Sequence, residues 1–146
     1  MTRRMLLVSS LAPLLRADSA QQIRDLFGAM TGSLSACNPQ GFLGVFDKAM
    51  PGYQRLSINV NALANEFIIE SSVDLKRDEG DDQKRRIEAE WLLTLRPHET
   101  RDCENDRQAA AIATREQVLN FTAAKQGRRW IITALEPVDF FAPPAP

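Results

Sequence analysis

One histidine and one tyrosine among 146 residues leave this chain little material for acid–base chemistry, which most often draws on such side chains. Only two cysteines are present, Cys37 and Cys103, and they form neither a C-x-x-C pair nor a zinc-binding spacing. A Gly-rich phosphate loop and a G-x-S-x-G elbow are also missing, so no metal and no cofactor are expected. Charge of one sign is absent too. The 18 basic and 19 acidic side chains give a net charge of −1. That excludes nucleic acid as a partner, because displacing counterions from phosphates needs a basic surface. It equally excludes polybasic attachment to an anionic membrane. The apolar run from Met5 to Leu15 is too short to span a bilayer and is broken by Pro13, so no integral membrane segment is expected in the mature chain.

What is present is the balance of a globular domain, with 44% hydrophobic and 25% charged residues. The length suits one domain with its own core, and no repeat or second domain is visible. Arg3 and Arg4, the apolar run and the small residues from Ala17 to Ala20 have the pattern of an export signal. The start Thr2-Arg3-Arg4-Met5-Leu6-Leu7 loosely resembles a twin-arginine signal. The division expected is a signal peptide over residues 1–17, a domain over 18–141 and a Pro-rich tail over 142–146, in an exported protein. The competing reading is a first helix that packs Leu6, Leu7, Leu11 and Leu14 on the domain of a cytoplasmic protein. In an oxidising compartment Cys37 and Cys103 could bridge, or each could be an isolated small residue.

The periodicity divides the chain in two. Asp18-Ser19 with Gln22 has the form of a capping box, and Ile23, Leu26, Phe27, Met30 and Leu34 then mark one helical stripe. Asn38-Pro39 starts a second helix with Phe42, Val45, Phe46 and Ala49 as its buried face, and Pro51-Gly52 stops it. A third begins near Tyr53, with Leu56, Val60, Leu63, Ala64 and Phe67 on one side. The period then falls to two. Strands are expected over residues 67–78, from Arg86 to Arg96 where Pro97 ends it, from Thr114 to Lys125 and from Arg128 to Leu135. The acidic tip Asp78-Glu79-Gly80-Asp81-Asp82 turns the first pair, and Gln126-Gly127 the last. His98 to Ala113 has no strand pattern and holds at most a helical scrap around Ala109 to Ala111, while Phe140 and Phe141 dock after the last strand.

Helices followed by hairpin-linked strands make an α+β domain. The element order, the run from Phe46 to Tyr53 and the run Ser71-Ser72-Val73 leading to Glu90-Trp91 resemble bacterial members of the nuclear-transport-factor-2-like (SnoaL-like) superfamily. The resemblance covers about residues 18 to 141. It implies a cone: three N-terminal helices on a curved, mostly antiparallel four-stranded sheet, with a cavity between them.

The inner face of that sheet follows from parity. Ile69, Val73 and Leu75, then Ile87, Ala89, Trp91, Leu93 and Leu95, then Leu119, Phe121 and Ala123, then Trp130, Ile132 and Ala134 turn inward. Ser71 alone breaks this apolar lining. A pocket lined by Phe46, Tyr53, Ser71, Trp91, Phe121 and Trp130 could take a small apolar ligand. Asp47 is the weak catalytic candidate, a general base with Tyr53, Ser71 or Arg115 as donors; otherwise it serves the turn beside it. His98 is expected in solvent and Tyr53 as a helix-start anchor. The acidic tip does not match a calcium loop, and the sequon at Asn120 lies within a strand.

On the outer face, Glu70, Asp74 and Lys76 can pair with Arg86, Glu88 and Glu90 across the first two strands. Leu92, Val118, Ile131 and Leu135 are apolar where solvent is expected, which marks a contact face for a homodimer. Two readings follow. One is a non-enzymatic exported domain binding a small apolar ligand or a protein partner. The other is an isomerase, dehydratase or hydrolase using Asp47.

Overall fold

The computed structural model describes residues 2–98 and 111–144, with side chains from residue 18 onward in the first helix. Helix α1 spans Thr2–Ser35, α2 Pro39–Leu43 and α3 Tyr53–Glu66. Strands β1 (Phe67–Gly80), β2 (Lys84–Pro97), β3 (Ala113–Gln126) and β4 (Arg129–Glu136) follow, and a 3-10 turn covers Val138–Phe141. The strands form an antiparallel meander in the order β1-β2-β3-β4, so the α+β plan expected from periodicity is the observed one. All three helices lie on one face of the sheet, where their buried residues join a single cluster with the inward strand residues.

The stripe Ile23, Phe27, Met30 and Leu34 is buried as its spacing requires. No helix begins at Asp18, because α1 is already running there and the next N–H groups have intrahelical acceptors. The capping-box residues turn sideways instead. Ser19 Oγ donates to Asp82 Oδ1 at 2.9 Å, and Gln22 Oε1 accepts from Trp130 Nε1 at 2.9 Å. The helix closes with Cys37 in the left-handed region (φ 58°), its N–H on the Leu34 carbonyl and that of Asn38 on the Ser33 carbonyl. Cys37 is disulfide-bonded; Cys103 lies outside the described residues, as does most of the 98–113 connection with its expected helical scrap.

Helix α2 is shorter than expected. Asn38 Oδ1 caps it by accepting from Gly41 N–H at 3.0 Å, but it ends at Leu43 rather than near Ala49. Gly41 and Gly44 weaken the helix, and a better partner is available to the backbone beyond it. Phe46 forms a parallel bridge with Ile132, in which Ile132 N–H donates to Val45 O and Asp47 N–H to Ile132 O, both at 2.8 Å. Phe46 stays buried while Ala49 is exposed. Gly52, at φ 84°, supplies the left-handed entry to α3.

Two β-bulges reset the strand parity. In β1 the register passes from Leu75↔Ala89 to Arg77↔Glu88, which leaves Lys76 extra and turns Asp78 inward opposite Ile87. Between β3 and β4 it passes from Thr122↔Ala134 to Ala123↔Ile132, which leaves Thr133 extra. Ala134 therefore faces outward with Thr122, and Leu135 turns into the core. Both assignments reverse the simple alternation.

Candidate functional site

The space between sheet and helices is filled by interlocking rings. Trp91, fully buried on β2, touches Phe27 of α1 (6.2 Å between centroids), Phe42 of α2 (6.2 Å), Phe121 of β3 (5.9 Å) and Phe141 of the last turn (5.4 Å). Phe27 meets Phe121 edge to face at 4.9 Å, and Phe42 lies 5.1 Å from both Phe46 and Phe141. Such pairs add to the area each ring buries, since tilted and edge-on contacts suit their quadrupoles. Of the residues expected to line a pocket, Phe46, Trp91, Phe121 and Trp130 are buried here, while Tyr53 and Ser71 are half-buried.

The polar groups that reach this space are all engaged. Ser71 Oγ accepts from Trp91 Nε1 at 2.8 Å, and Ser71 N–H donates to Ser35 Oγ at 3.1 Å. Trp130 is fixed by Gln22, with Lys125 Nζ 5.8 Å from its ring centre. A groove of about 480 Å³ between α1 and β1, bounded by Arg24, Phe27, Thr31 and Ser71, approaches the Ser71 end from outside.

Asp47 lies in the turn after the Phe46 bridge. Its Oδ1 accepts from Ala49 N–H at 2.9 Å, an arrangement that orders the chain between α2 and α3. Arg115, expected from the sequence as a donor beside it, is committed elsewhere. It lies on β3 opposite Leu93, on the inward parity, and its Nη1 donates to the carbonyls of Phe140 (2.8 Å) and Ala142. Burial pushes its guanidinium below its usual pKa. His98 is half-buried rather than in solvent, and its Nε2 donates to the Ala64 carbonyl at 3.2 Å, which ties the end of β2 to α3.

Sequence reasoning missed an ion pair at the other end of the inner face. Arg85 is 9% exposed and its Nε donates to Asp78 Oδ1 at 2.8 Å, with Nη1 on the Asp81 carbonyl. Parity offered half the signal, since Arg85 stands two residues before Ile87. Asp78 joins it only because of the bulge at Lys76. The rest of the acidic tip is turn chemistry: Asp81 Oδ1 accepts from the N–H groups of Gln83 (2.8 Å) and Lys84 (2.9 Å), which hold its carboxyl below the usual range. Among the described residues no group of three or more His, Cys, Asp or Glu could hold a metal ion.

On the outer face Lys76 reaches Asp74 (2.8 Å) and Glu90 (3.9 Å), Arg77 reaches Glu88 (3.9 Å) and Arg96 reaches Glu70 (3.3 Å). Exposed pairs of this kind contribute little to stability, because solvent screens them. Leu92 is half-buried and Val118 is 42% exposed, one register step apart on β2 and β3. Ile131 pairs with Ala124 at the far end of β3, and Asn120 and Thr122 separate it from Val118. The apolar stripe is thus two patches, not one. Between them a cleft of about 410 Å³ opens among Arg77, Arg86, Glu88, Asn120 and Glu136.

No protein-family model and no curated protein matches this chain. Solved structures do match it. A conserved protein from Planctomyces limnophilus aligns with a TM-score of 0.65 at 12% identity, covering 82% of this chain and 94% of that one. A hexachlorocyclohexane dehydrochlorinase (LinA) of type 2 aligns with a TM-score of 0.62 at 14% identity over 84% and 86% of the two chains. An NTF-2-like protein of unknown function from Shewanella oneidensis aligns with a TM-score of 0.58 at 12% identity, over 80% and 95%. At such identities the likeness is one of fold. The chain has the nuclear-transport-factor-2-like fold, whose members here include an enzyme and proteins of unknown function.

Proposed function

We propose that this chain is an exported, non-enzymatic binding domain that pairs with a second copy of itself through the outer face of its sheet. The observation that carries the reading is the state of the inner face. Rings occupy its centre, and the polar groups that reach it, Ser71 and Arg115, are held by Trp91 and by the backbone after β4. A general base needs a reacting atom within hydrogen-bond reach, and Asp47 lies in a turn outside the ring cluster, with its Oδ1 held by the Ala49 N–H. Binding therefore falls to the outer face, where Leu92 and Val118 form the apolar centre and charges of both signs surround them.

The expected effect is specific to place. Val118→Glu on the Leu92 patch should weaken self-association about tenfold or more, since it buries a charge at an apolar centre. Ile131→Glu, on the second patch, should weaken it less. Sedimentation velocity over a concentration series reads both; equal self-association by the Val118→Glu chain would remove this face from the proposal.

Export is supported by the basic and apolar leader and by the disulfide at Cys37, a bond that persists in oxidising compartments. No helix among the described residues is long and apolar enough to cross a membrane. Intact-mass spectrometry of the chain recovered from its host should find the N-terminus near Ala17 or a residue or two later. A full-length mass would rule out cleavage.

A further inference from the structure

Strand β4 covers only part of β3. Their pairing runs from Asn120↔Glu136 to Gln126↔Arg129, whereas β3 begins at Ala113. On its other side β3 keeps register with β2 from Ala113 to Ala124, and the Lys125 N–H donates to the Gln83 carbonyl at 2.8 Å. Odd-numbered residues of β3 therefore turn their N–H and C=O groups to β2, and even-numbered ones turn theirs away. At Asn120 and Thr122 those groups meet β4. At Thr114, Glu116 and Val118 no strand among the described residues meets them, and all three residues are exposed. A row of free backbone groups is a template for one more strand.

The chain leaves the sheet at Pro137 and turns away in the 3-10 turn, which leaves a notch of about 570 Å³ beside this edge. Thr114 to Gln117 form one wall, and Pro137, Phe140, Pro143 and Pro144 line the other. Arg115 fixes that second wall by donating to the carbonyls of Phe140 and Ala142. Its prolines have no N–H to give the β3 carbonyls, so the wall offers apolar surface in place of a fifth strand. Of the three edge residues only Glu116 is charged. Among the described residues no cation stands within salt-bridge distance of it, and Lys76, whose field it feels, is held by Asp74 and Glu90.

We propose that the open edge of β3 is a docking site for an extended peptide that adds as a strand, with a basic side chain opposite Glu116 and apolar side chains on either side of it turned to the proline wall. Backbone hydrogen bonds to Glu116 and Val118 supply affinity, and the alternating side chains supply specificity. A second copy of this chain fits the edge worse. Two-fold pairing that engages all three residues sets Glu116 directly against Glu116, and like charges so placed repel. The edge lies in the plane of the sheet and not on the outer face, so this proposal and self-association through that face fail independently.

The probe is the acetylated and amidated pentapeptide Thr-Val-Lys-Val-Thr. Amide exchange followed by NMR in the unaltered chain should find the N–H groups of Glu116 and Val118 exchanging freely and those of Gln117 and Leu119 protected by β2. Millimolar peptide should slow the first two at least about tenfold and leave the others unchanged. By fluorescence anisotropy, Glu116→Lys should weaken binding of this peptide about fivefold, and a peptide with glutamate at its centre should favour that variant by about the same factor. The substitution is at an exposed position, so the fold is kept. N-methylation of the central lysine removes the donor that faces the Glu116 carbonyl and should weaken binding at least about tenfold. Unchanged exchange at Glu116 and Val118 under millimolar peptide would overturn the proposal. So would protection of those two groups without peptide that rises with protein concentration, which would assign the edge to a second copy. Equal affinity of both chains for the lysine peptide would overturn the assigned partner chemistry.

Discussion

Replacing Trp91 with alanine should cost about 3–5 kcal/mol of folding stability, a large share of the roughly 5–15 kcal/mol that a domain of this size holds. The indole is fully buried and, among the described residues, is the one ring in contact with α1, α2, β3 and the last turn together. Truncation removes those contacts, opens a cavity that four separate elements must relax to fill, and leaves Ser71 Oγ without its donor. Trp91→Phe keeps a ring in the slot and should lose less, about 1–3 kcal/mol. Urea unfolding followed by circular dichroism separates the two by their midpoints, with an unchanged slope indicating that only stability has moved. A Trp91→Ala midpoint within error of the unaltered chain would mean that the rings do not form the centre of the core.

The second large effect lies at the Asp78–Arg85 pair. Asp78→Ala should destabilise by about 2–4 kcal/mol, because it leaves the Arg85 charge largely out of water with only the Asp81 carbonyl for company. The loss is mainly the cost of an orphaned charge, not the net worth of the pair. Replacing both partners together, Asp78→Leu with Arg85→Met, should therefore recover most of it. A double variant as unstable as the single one would show that the pair itself stabilises the hairpin. Both can be read from the same urea transitions.

These two sites differ in how far the sequence disclosed them. Strand β2 was legible throughout, since Ile87 to Leu95 alternate without interruption and both neighbouring strands keep register with it. Alternation alone thus places Trp91 at the centre of the inner face. The Asp78–Arg85 pair could not. It depends on the extra residue at Lys76, and alternation carries no trace of a bulge whose flanking residues are polar on both faces. In β4 the difficulty is the reverse. Ile131, Ile132, Ala134 and Leu135 satisfy either parity, so only pairing with β3 decides that Leu135 turns in and Ala134 out. Helix α2 failed for another reason: Phe46 keeps the burial its helical spacing suggested, but reaches it through a bridge to Ile132 that lies 86 residues away along the chain.

Of the candidate site, the aromatic lining and the polar break at Ser71 were readable, and the engagement of each polar group was not. Ser35, Gln22 and the carbonyls after β4 come to their partners only through tertiary packing. Arg115 was visible as an inward charge. Its commitment to Phe140 and Ala142 became visible only with the turn in place.

Sedimentation equilibrium of the unaltered chain at micromolar concentration tests the proposed function most directly. A dimer joined through Leu92 and Val118 should give twice the 16.3 kDa chain mass, falling toward a single chain mass on dilution and, at fixed concentration, in the Val118→Glu variant. A mass of one chain across the whole micromolar range would contradict it.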